Sequence, residues 1–197
     1  MTLVRPDAGA SRRLNVLRAV AELIARHGID GMSMRQVADA CGMSTGTINY
    51  HFRNKRGLIM ATMDFVYSVP QDWERFAALP ALEQLRTRAA IAIIKTEGRR
   101  QWGRFWLEYA AHAGRDPVLL ESHIEHYASR RRVFLETIEF GQRKGEVRAD
   151  IEPAAATDSL LAVIDGVLTQ QIAFGLSGED AERIIFSFID GLGPPRH

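Results

Sequence analysis

Between Ser33 and Lys55 the chain sets out hydroxyl, amide, imidazole and cationic groups suited to recognising a polyanion rather than to breaking bonds: Ser33, Arg35, Ser44, Thr45, Thr47, Asn49, Tyr50, His51 and Lys55. If Ile48 points into a folded domain and each helical residue turns by about 100°, Gly46 and Tyr50 lie on the opposite face, with Thr47 and Asn49 flanking them. Thr45 then sits in the first turn, where a recognition helix presents its end to base edges and phosphates. The missing side chain at Gly46 lets a duplex approach the backbone closely, and Tyr50, His51 and Lys55 can each donate a hydrogen bond or charge to phosphate. Ser33 and Arg35, at the start of the preceding helix, and Ser44, at the start of this one, complete the set.

Two short helices crossing at a tight turn would position these groups. Val37, Ala38 and Cys41 form one apolar stripe, and Ala38 is small where the helices cross. Gly42 supplies a left-handed residue that ends the first helix, and Met43 and Ile48 bury the far side of the turn. Ser33 and Ser44 can cap the two helices, and no proline interrupts either. The pattern is a helix-turn-helix. Such pairs also occur in helical proteins that never touch DNA, so spacing alone leaves the choice open. Charge narrows it. Residues 1–57 hold nine Lys/Arg against four Asp/Glu, a surplus of five, whereas the whole chain has a net charge of +1, leaving −4 for the remainder. The basic end is the motif end, as an electrostatic footprint for phosphate requires.

The ordered set Ser33, Val37-Ala38, Cys41-Gly42-Met43-Ser44, Thr45-Gly46-Thr47, Tyr50-His51-Phe52 and Lys55 resembles the N-terminal region of the TetR (tetracycline repressor) family of one-component regulators. Cys41 and Met43 depart from its pattern, replacing a small and a β-branched residue. The resemblance implies a three-helix DNA-binding head, joined through a fourth helix to a helical body that holds an effector cavity. The C-terminal stretch from Leu160 to Ile172 resembles, more loosely, the choline-sensing betaine-operon repressor branch of that family.

The rest of the chain reads as helices over about 55–67, 80–97, 101–113, 117–143, 153–175 and 179–191, separated by glycines and prolines. Helix one covers Leu14 to Ala25 and ends at His27-Gly28; Arg18 and Glu22 interrupt it at helical spacing, unlike a signal peptide. No alternating run suggests a strand. The expected fold is all-α, with a helix-turn-helix domain over 1–57 and a larger effector-binding and dimerisation domain over 58–197. Pro70 marks an end or kink, and an arm containing Arg5 and Pro6 precedes Ser11. With 46% hydrophobic and 25% charged residues the chain can bury a sizeable core. One cysteine excludes an internal disulfide, and no run of about 18 apolar residues spans a membrane. A cytoplasmic location is expected.

Within the body, Trp102, Phe105, Trp106 and Tyr109 recur on one helical face. Such a stripe is most often core. Its sharper use is as the wall of an effector site, with Met63, Tyr127 and Phe134 as further candidates, and aromatic faces suit a cation such as a quaternary amine. His123 and His126 share a helix without the spacing of a metal site, so no metal or other cofactor is expected. Cys41 reads as core, and Arg130-Arg131-Arg132 as a solvated face with Glu136 one turn away. On the stretch 153–175 the apolar residues wrap around more than one face, which asks for a second covering surface. Homodimerisation through Leu160, Ile164, Gly166, Val167, Ile172, Ile185, Phe188 and Ile189 is therefore expected, as a four-helix bundle with two-fold symmetry. The function these readings imply is a ligand-responsive regulator, a repressor, that binds a near-palindromic operator as a homodimer, releases it to a small-molecule effector and catalyses nothing. The other class is a helical enzyme or protein-interaction module. No glycine-rich phosphate loop, nucleophile elbow or paired carboxylates support catalysis.

Overall fold

The computed structural model describes residues 8–68 and 76–194, and among the described residues it has nine α-helices and no strand. They are α1 (Ala8–Gly31), α2 (Met34–Cys41), α3 (Thr45–Phe52), α4 (Lys55–Ser68), α5 (Ala81–Ala89), α6 (Glu97–Ala113), α7 (Pro117–Arg143), α8 (Pro153–Ala173) and α9 (Gly178–Asp190). Arg5 and Pro6 of the expected arm, and Pro70, lie outside the described residues. No helix among the described residues is long and apolar enough to cross a membrane.

Two compact units divide the chain. One comprises the described parts of 1–69 and 104–123, the other those of 70–103 and 124–197. In the first, α1 buries Val16, Leu17, Val20, Ala21 and Ile24, a stripe at helical spacing. Gly28, at φ 71 and ψ 170, breaks this helix where the sequence places its end. The α1 stripe packs with α2 and α4, and the buried residues Val37, Ala38, Ile48, Phe52, Leu58, Ile59 and Met63 complete the head.

In the second unit α9 packs on α8 and on α5. The core gathers Ala81, Leu85 and Ala89 of α5, Phe134 and Ile138 of α7, Leu160, Leu161, Ile164 and Val167 of α8, and Ala181, Ile185 and Ile189 of α9. The arginine run in α7 is only partly a solvated face. Arg130 forms two hydrogen bonds to Asp165, at 2.7 and 2.8 Å, and Arg131 two to Asp158, at 2.5 and 3.0 Å. Arg131 uses Nε and Nη2 as a planar fork, whereas Arg130 offers Nη2 alone to both oxygens; together they tie α7 to α8 by geometry as well as charge.

The helix expected over 80–97 instead stops at Ala89, and α6 begins at Glu97, running through Gly98 without a break. Hydrogen bonds from elsewhere in the fold replace the helical ladder across the gap. The Gln171 side chain accepts from the Ile94 N–H at 3.0 Å and donates to the Ile94 carbonyl at 3.1 Å. Arg99 donates to the carbonyls of Ala90, at 2.9 Å, and Ile93, at 3.2 Å. Thr96 then accepts from the Arg99 N–H at 3.3 Å and opens α6.

Gln171 is 1% exposed, and its amide is committed to the N–H and the carbonyl of this one residue, which belong to successive peptide units. Gln171→Leu leaves a buried donor and acceptor without partners and is expected to lower unfolding stability by about 2–4 kcal/mol in urea denaturation. Gln170→Leu, at an exposed neighbour, should change it by less than about 0.5 kcal/mol. Equal effects would show that Gln171 does not hold the break.

Candidate nucleic-acid interface

The turn between α2 and α3 is built as the sequence requires. Ser33 caps α2: its Oγ accepts from the Gln36 N–H at 3.2 Å while the Gln36 side chain accepts from the Ser33 N–H at 2.8 Å, a reciprocal capping box. Gly42 takes φ 64 and ψ 32. Its N–H reaches the Asp39 carbonyl at 3.2 Å, and the Met43 N–H reaches the Ala38 carbonyl at 2.9 Å, the Schellman closure of a helix end. Ser44 then caps α3 through the Thr47 N–H at 3.0 Å. Cys41 is only partly buried, and burial still raises its thiol pKa, so the thiolate is disfavoured.

On α3, Ile48 and Phe52 face inward, while Thr45, Gly46, Thr47, Asn49, Tyr50 and His51 are exposed. Tyr50 is 86% exposed, an unusual position for a large aromatic ring in a subunit with nothing against it. The His51 ring meets Tyr50 edge-on, with centroids 5.3 Å apart, and Phe52 at 6.4 Å, which stiffens the exposed side of the last turn. From Ala40 to Met63 the sequence has no Asp or Glu, so no carboxylate on α3 opposes a phosphate.

Not every expected group is equally available. The hydroxyls of Ser33 and Ser44 are spent on caps, and the Thr47 hydroxyl pairs with Ser44 Oγ at 2.8 Å. Arg35 is exposed and stands 3.9 Å from Asp39. Lys55 donates to the Asp30 carbonyl at 3.2 Å, tying α4 to the end of α1.

At the corner from α3 to α4 sequence reading missed the backbone of Arg53 and the contact of Gly57, whereas Asn54 is legible as the cap of a helix opening at Lys55. Arg53 adopts φ 65, a conformation a non-glycine residue rarely takes, and its N–H bonds to the Asn49 carbonyl at 2.7 Å. Asn54 caps α4 through the Gly57 N–H at 2.9 Å. A Cβ on Gly57 would stand 2.4 Å from the Phe52 carbonyl oxygen, so only glycine fits. A glycine in the first turn of a helix, where it lowers helix propensity, was the available signal.

The expected effector residues divide between the units. Met63, Phe105 and Tyr109 are fully buried, and Trp106 is partly buried. In the first unit Trp106 donates to the Tyr67 hydroxyl at 3.0 Å, and His123 lies 6.0 Å from the Trp106 ring and 5.7 Å from that of Tyr109. Tyr67 and His123 thus join a cluster that periodicity alone did not gather. Trp102, Tyr127 and Phe134 fall in the second unit; Phe134 is in its core, and Tyr127 lies under the Arg130 guanidinium at 5.5 Å. Among the described residues no three His, Cys, Asp or Glu side chains converge as a metal site would need.

Of the expected dimer residues, Leu160, Ile164, Val167, Ile185 and Ile189 are buried in their own subunit, against α5 and one another, rather than on its surface. Their apolar surplus is absorbed by the subunit core. Gly166, Ile172 and Phe188 remain partly exposed.

The Gly57 contact yields a direct check. Gly57→Ala is expected to destabilise the first unit by about 1–3 kcal/mol despite alanine's better helix propensity, because backbone must move. Gly98→Ala, where a Cβ meets nothing within 4 Å, should instead stabilise by about 0.4–1 kcal/mol. Thermal melting of both variants decides; a stabilised Gly57→Ala would mean that the corner is slack.

Comparison with known proteins agrees with this architecture. Residues 16–62 match the model of bacterial regulatory proteins of the tetR family, and residues 81–194 match that of the BetI-type transcriptional repressor C-terminal domain. The chain is 30% identical over 161 residues to the HTH-type transcriptional regulator BetI of Escherichia coli, covering 79% of this chain and 80% of that one. It is 24% identical over 185 residues to the HTH-type transcriptional repressor AcnR of Corynebacterium glutamicum, covering 94% of each. A solved transcriptional-regulator structure from Saccharomonospora viridis in complex with choline superposes with a TM-score of 0.81 at 23% identity, over 95% of this chain and all of the other. A Rhodococcus TetR-family structure does so with a TM-score of 0.82 at 23% identity, over 94% of this chain and all of the other. The chain belongs to the tetR family of helix-turn-helix transcriptional regulators, with a C-terminal domain of the BetI type.

Proposed function

We propose that this regulator represses transcription in the cytoplasm, catalysing nothing, as a homodimer whose two heads read a near-palindromic operator. The observation that carries the DNA-reading role is the outward face of α3, where Thr45, Gly46, Asn49, Tyr50 and His51 stand exposed over an anchored inner face of Ile48 and Phe52. Arg35 and Lys55 flank it and supply phosphate contacts that set register without reading sequence. Ser33 and Ser44 contribute through the helix N-termini they cap, and Thr47 through the hydroxyl it holds against Ser44 Oγ. In this reading residues 1–57 form the DNA-binding domain, and 58–197 carry effector binding and dimerisation.

Regulators of this family bind operator DNA, respond to effectors and usually act as dimers. The surface that supports dimerisation here is the exposed side of α8 and α9. Ala162, Gly166 and Thr169 are spaced along α8 with short side chains, and Ile184, 38% exposed, and Phe188 lie on α9. A Cβ on Gly166 meets nothing within 4 Å of its own subunit, so the space over it is free for a partner helix. Two heads related by a two-fold axis then contact half-sites about one helical turn apart.

For the effector we infer a small organic cation such as a quaternary ammonium compound, bound at the aromatic cluster of Trp106, Tyr109, Tyr67 and His123, with Phe105 and Met63 behind it. Aromatic faces attract such cations, and the Tyr109 phenol is pushed above its usual pKa, first by burial and to a lesser degree by the charge of Asp64. Choline in the Saccharomonospora viridis neighbour fits that chemistry. Trp102, Tyr127 and Phe134 are secondary candidates. Release follows from a shift of α4 between a DNA-competent and an incompetent setting of the heads.

A duplex selected from a random pool by the protein itself tests the operator reading. Asn49→Ala should cost about 1–3 kcal/mol and relax preference at one position of each half-site. Gly166→Arg should leave the subunit's melting temperature intact but convert a dimer to a monomer in sedimentation, with loss of tight binding. An arginine variant that stays dimeric moves the interface elsewhere, and uniform losses across all base variants remove Asn49 from base reading. Choline, added to the same binding assay, should weaken operator binding in the unmodified protein and have no effect on Trp106→Ala, whose affinity for DNA is otherwise kept. An equal response of both proteins returns the aromatic cluster to ordinary core.

A further inference from the structure

The first turn of α4 is held at three points. Lys55 ties it to the carbonyl of Asp30, and Gly57 packs against the carbonyl of Phe52. Both hold α4 to neighbours within the head. The third tie leaves the head: Arg56 Nη2 lies 3.0 Å from Asp116 Oδ2, in the turn between α6 and α7. The other oxygen of the same carboxylate, Oδ1, accepts the N–H groups of Val118 at 3.0 Å and Leu119 at 3.4 Å, capping α7. One side chain therefore closes two corners at once, the start of α7 and the start of the helix that follows the DNA-reading α3. Burial works against its charge, but the two amides and Arg56 outweigh burial and hold its pKa below the usual carboxylate value, so it stays ionised near neutrality. The contacts continue beyond it. The Leu119 carbonyl accepts from the Tyr109 hydroxyl at 3.2 Å, and Tyr109 lies against His123, which lies against Trp106.

We propose that Asp116 is a positioning residue for DNA binding: by capping α7 with one oxygen and holding Arg56 with the other, it couples the α6–α7 turn to the setting of α3. The proposal rests on the reading of α3 as the DNA-contacting element. Since α3 and α4 are joined by the Phe52–Gly57 corner without slack, displacement of Arg56 displaces the face that carries Asn49 and Tyr50. Coupling between sites is reciprocal, so DNA held by α3 must alter the α6–α7 turn as much as that turn alters affinity for DNA. No effector is needed to observe it.

The test uses the full chain, a duplex selected from a random pool by the unmodified protein, and the variants Arg56→Gln, Asp116→Asn and their combination. Asparagine keeps an Oδ1 acceptor for the Val118 and Leu119 amides, so the α7 cap survives while the charge facing Arg56 is lost. Each single variant should weaken binding by about two- to fivefold, as the loss of one partly exposed ion pair does, and the double variant should be no weaker than either. The dependence of affinity on salt should be unchanged. In hydrogen exchange, adding the duplex should slow the Val118 and Leu119 amides of the unmodified protein, and this slowing should vanish in both single variants at saturating duplex. A merely structural pair would loosen those amides equally with and without DNA. Additive losses, an unaltered duplex effect in the variants, or a salt dependence lowered by about one ion in Arg56→Gln alone, which would make Arg56 a phosphate ligand, each overturn the proposal. If the unmodified protein selects no duplex, the reading of α3 fails and takes the proposal with it. If it selects one and the variants behave as the original, only the role of Asp116 falls.

Discussion

The contact between Gly57 and the carbonyl of Phe52 sets what the head can do. An eight-residue helix has little stability of its own, and α3 owes its orientation to what grips its two ends. Ser44 and the Gly42 turn hold the first end, and the Phe52–Gly57 corner holds the second. The grip is tight enough to keep Arg53 at φ 65, a conformation that costs about 1–3 kcal/mol and persists only where the surroundings over-determine it. Here they do: the Arg53 N–H is bonded to Asn49, the Asn54 N–H to Phe52, and the Gly57 N–H to Asn54. With both ends fixed and Ile48 and Phe52 buried, the outward residues of α3 present one fixed arrangement of donors. In the DNA-reading role proposed for α3, preorganisation of that kind would let hydrogen bonds to base edges discriminate, because little ordering remains to be done on binding.

The second unit solves a different problem, holding long helices in register. Part of its answer is polar. Gln171 pairs both backbone groups of Ile94, Arg99 completes two carbonyls of the same turn, Arg130 shares one nitrogen between the two oxygens of Asp165, and Arg131 forks onto Asp158. Such contacts contribute less to net stability than apolar burial does, but they are directional and specify one arrangement among several of similar hydrophobicity. Leu160, Ile164, Val167, Ile185 and Ile189 are consumed in that arrangement, and Ala162, Gly166 and Thr169 are among the α8 residues left outside. In the homodimer proposed above, close packing of two α8 helices would depend on short side chains rather than on a large apolar reserve.

Identities of 24 to 30% with BetI and AcnR proteins are enough to preserve the positions of helices, because those depend on size and periodicity in the core. Ligand choice is a separate matter. It is decided by the few side chains that meet the ligand and by charges within reach of them; at the effector site proposed above those side chains are Trp106, Tyr67 and His123.

Much of the head was legible from local chemistry. Gly42 at a left-handed turn, serines one residue before two helices, and the pairing of Val37-Ala38 with Ile48 are each dictated within a few residues, so the helix-turn-helix and the outward face of α3 could be read before any contact was seen. The bounds of α7 and α8 were equally plain, since Pro117 and Pro153 open them. What tertiary structure decided were matters that involve residues distant in the chain. The break between α5 and α6 is filled by hydrogen bonds from Gln171 and Arg99, the pairing of Arg56 depends on Asp116, and the burial of Val167 depends on which of several apolar faces α5 and α9 cover. Periodicity reports that a face is apolar; it does not report what fills the space against it, because packing is settled by volume and by hydrogen-bond partners that only the folded chain brings within reach.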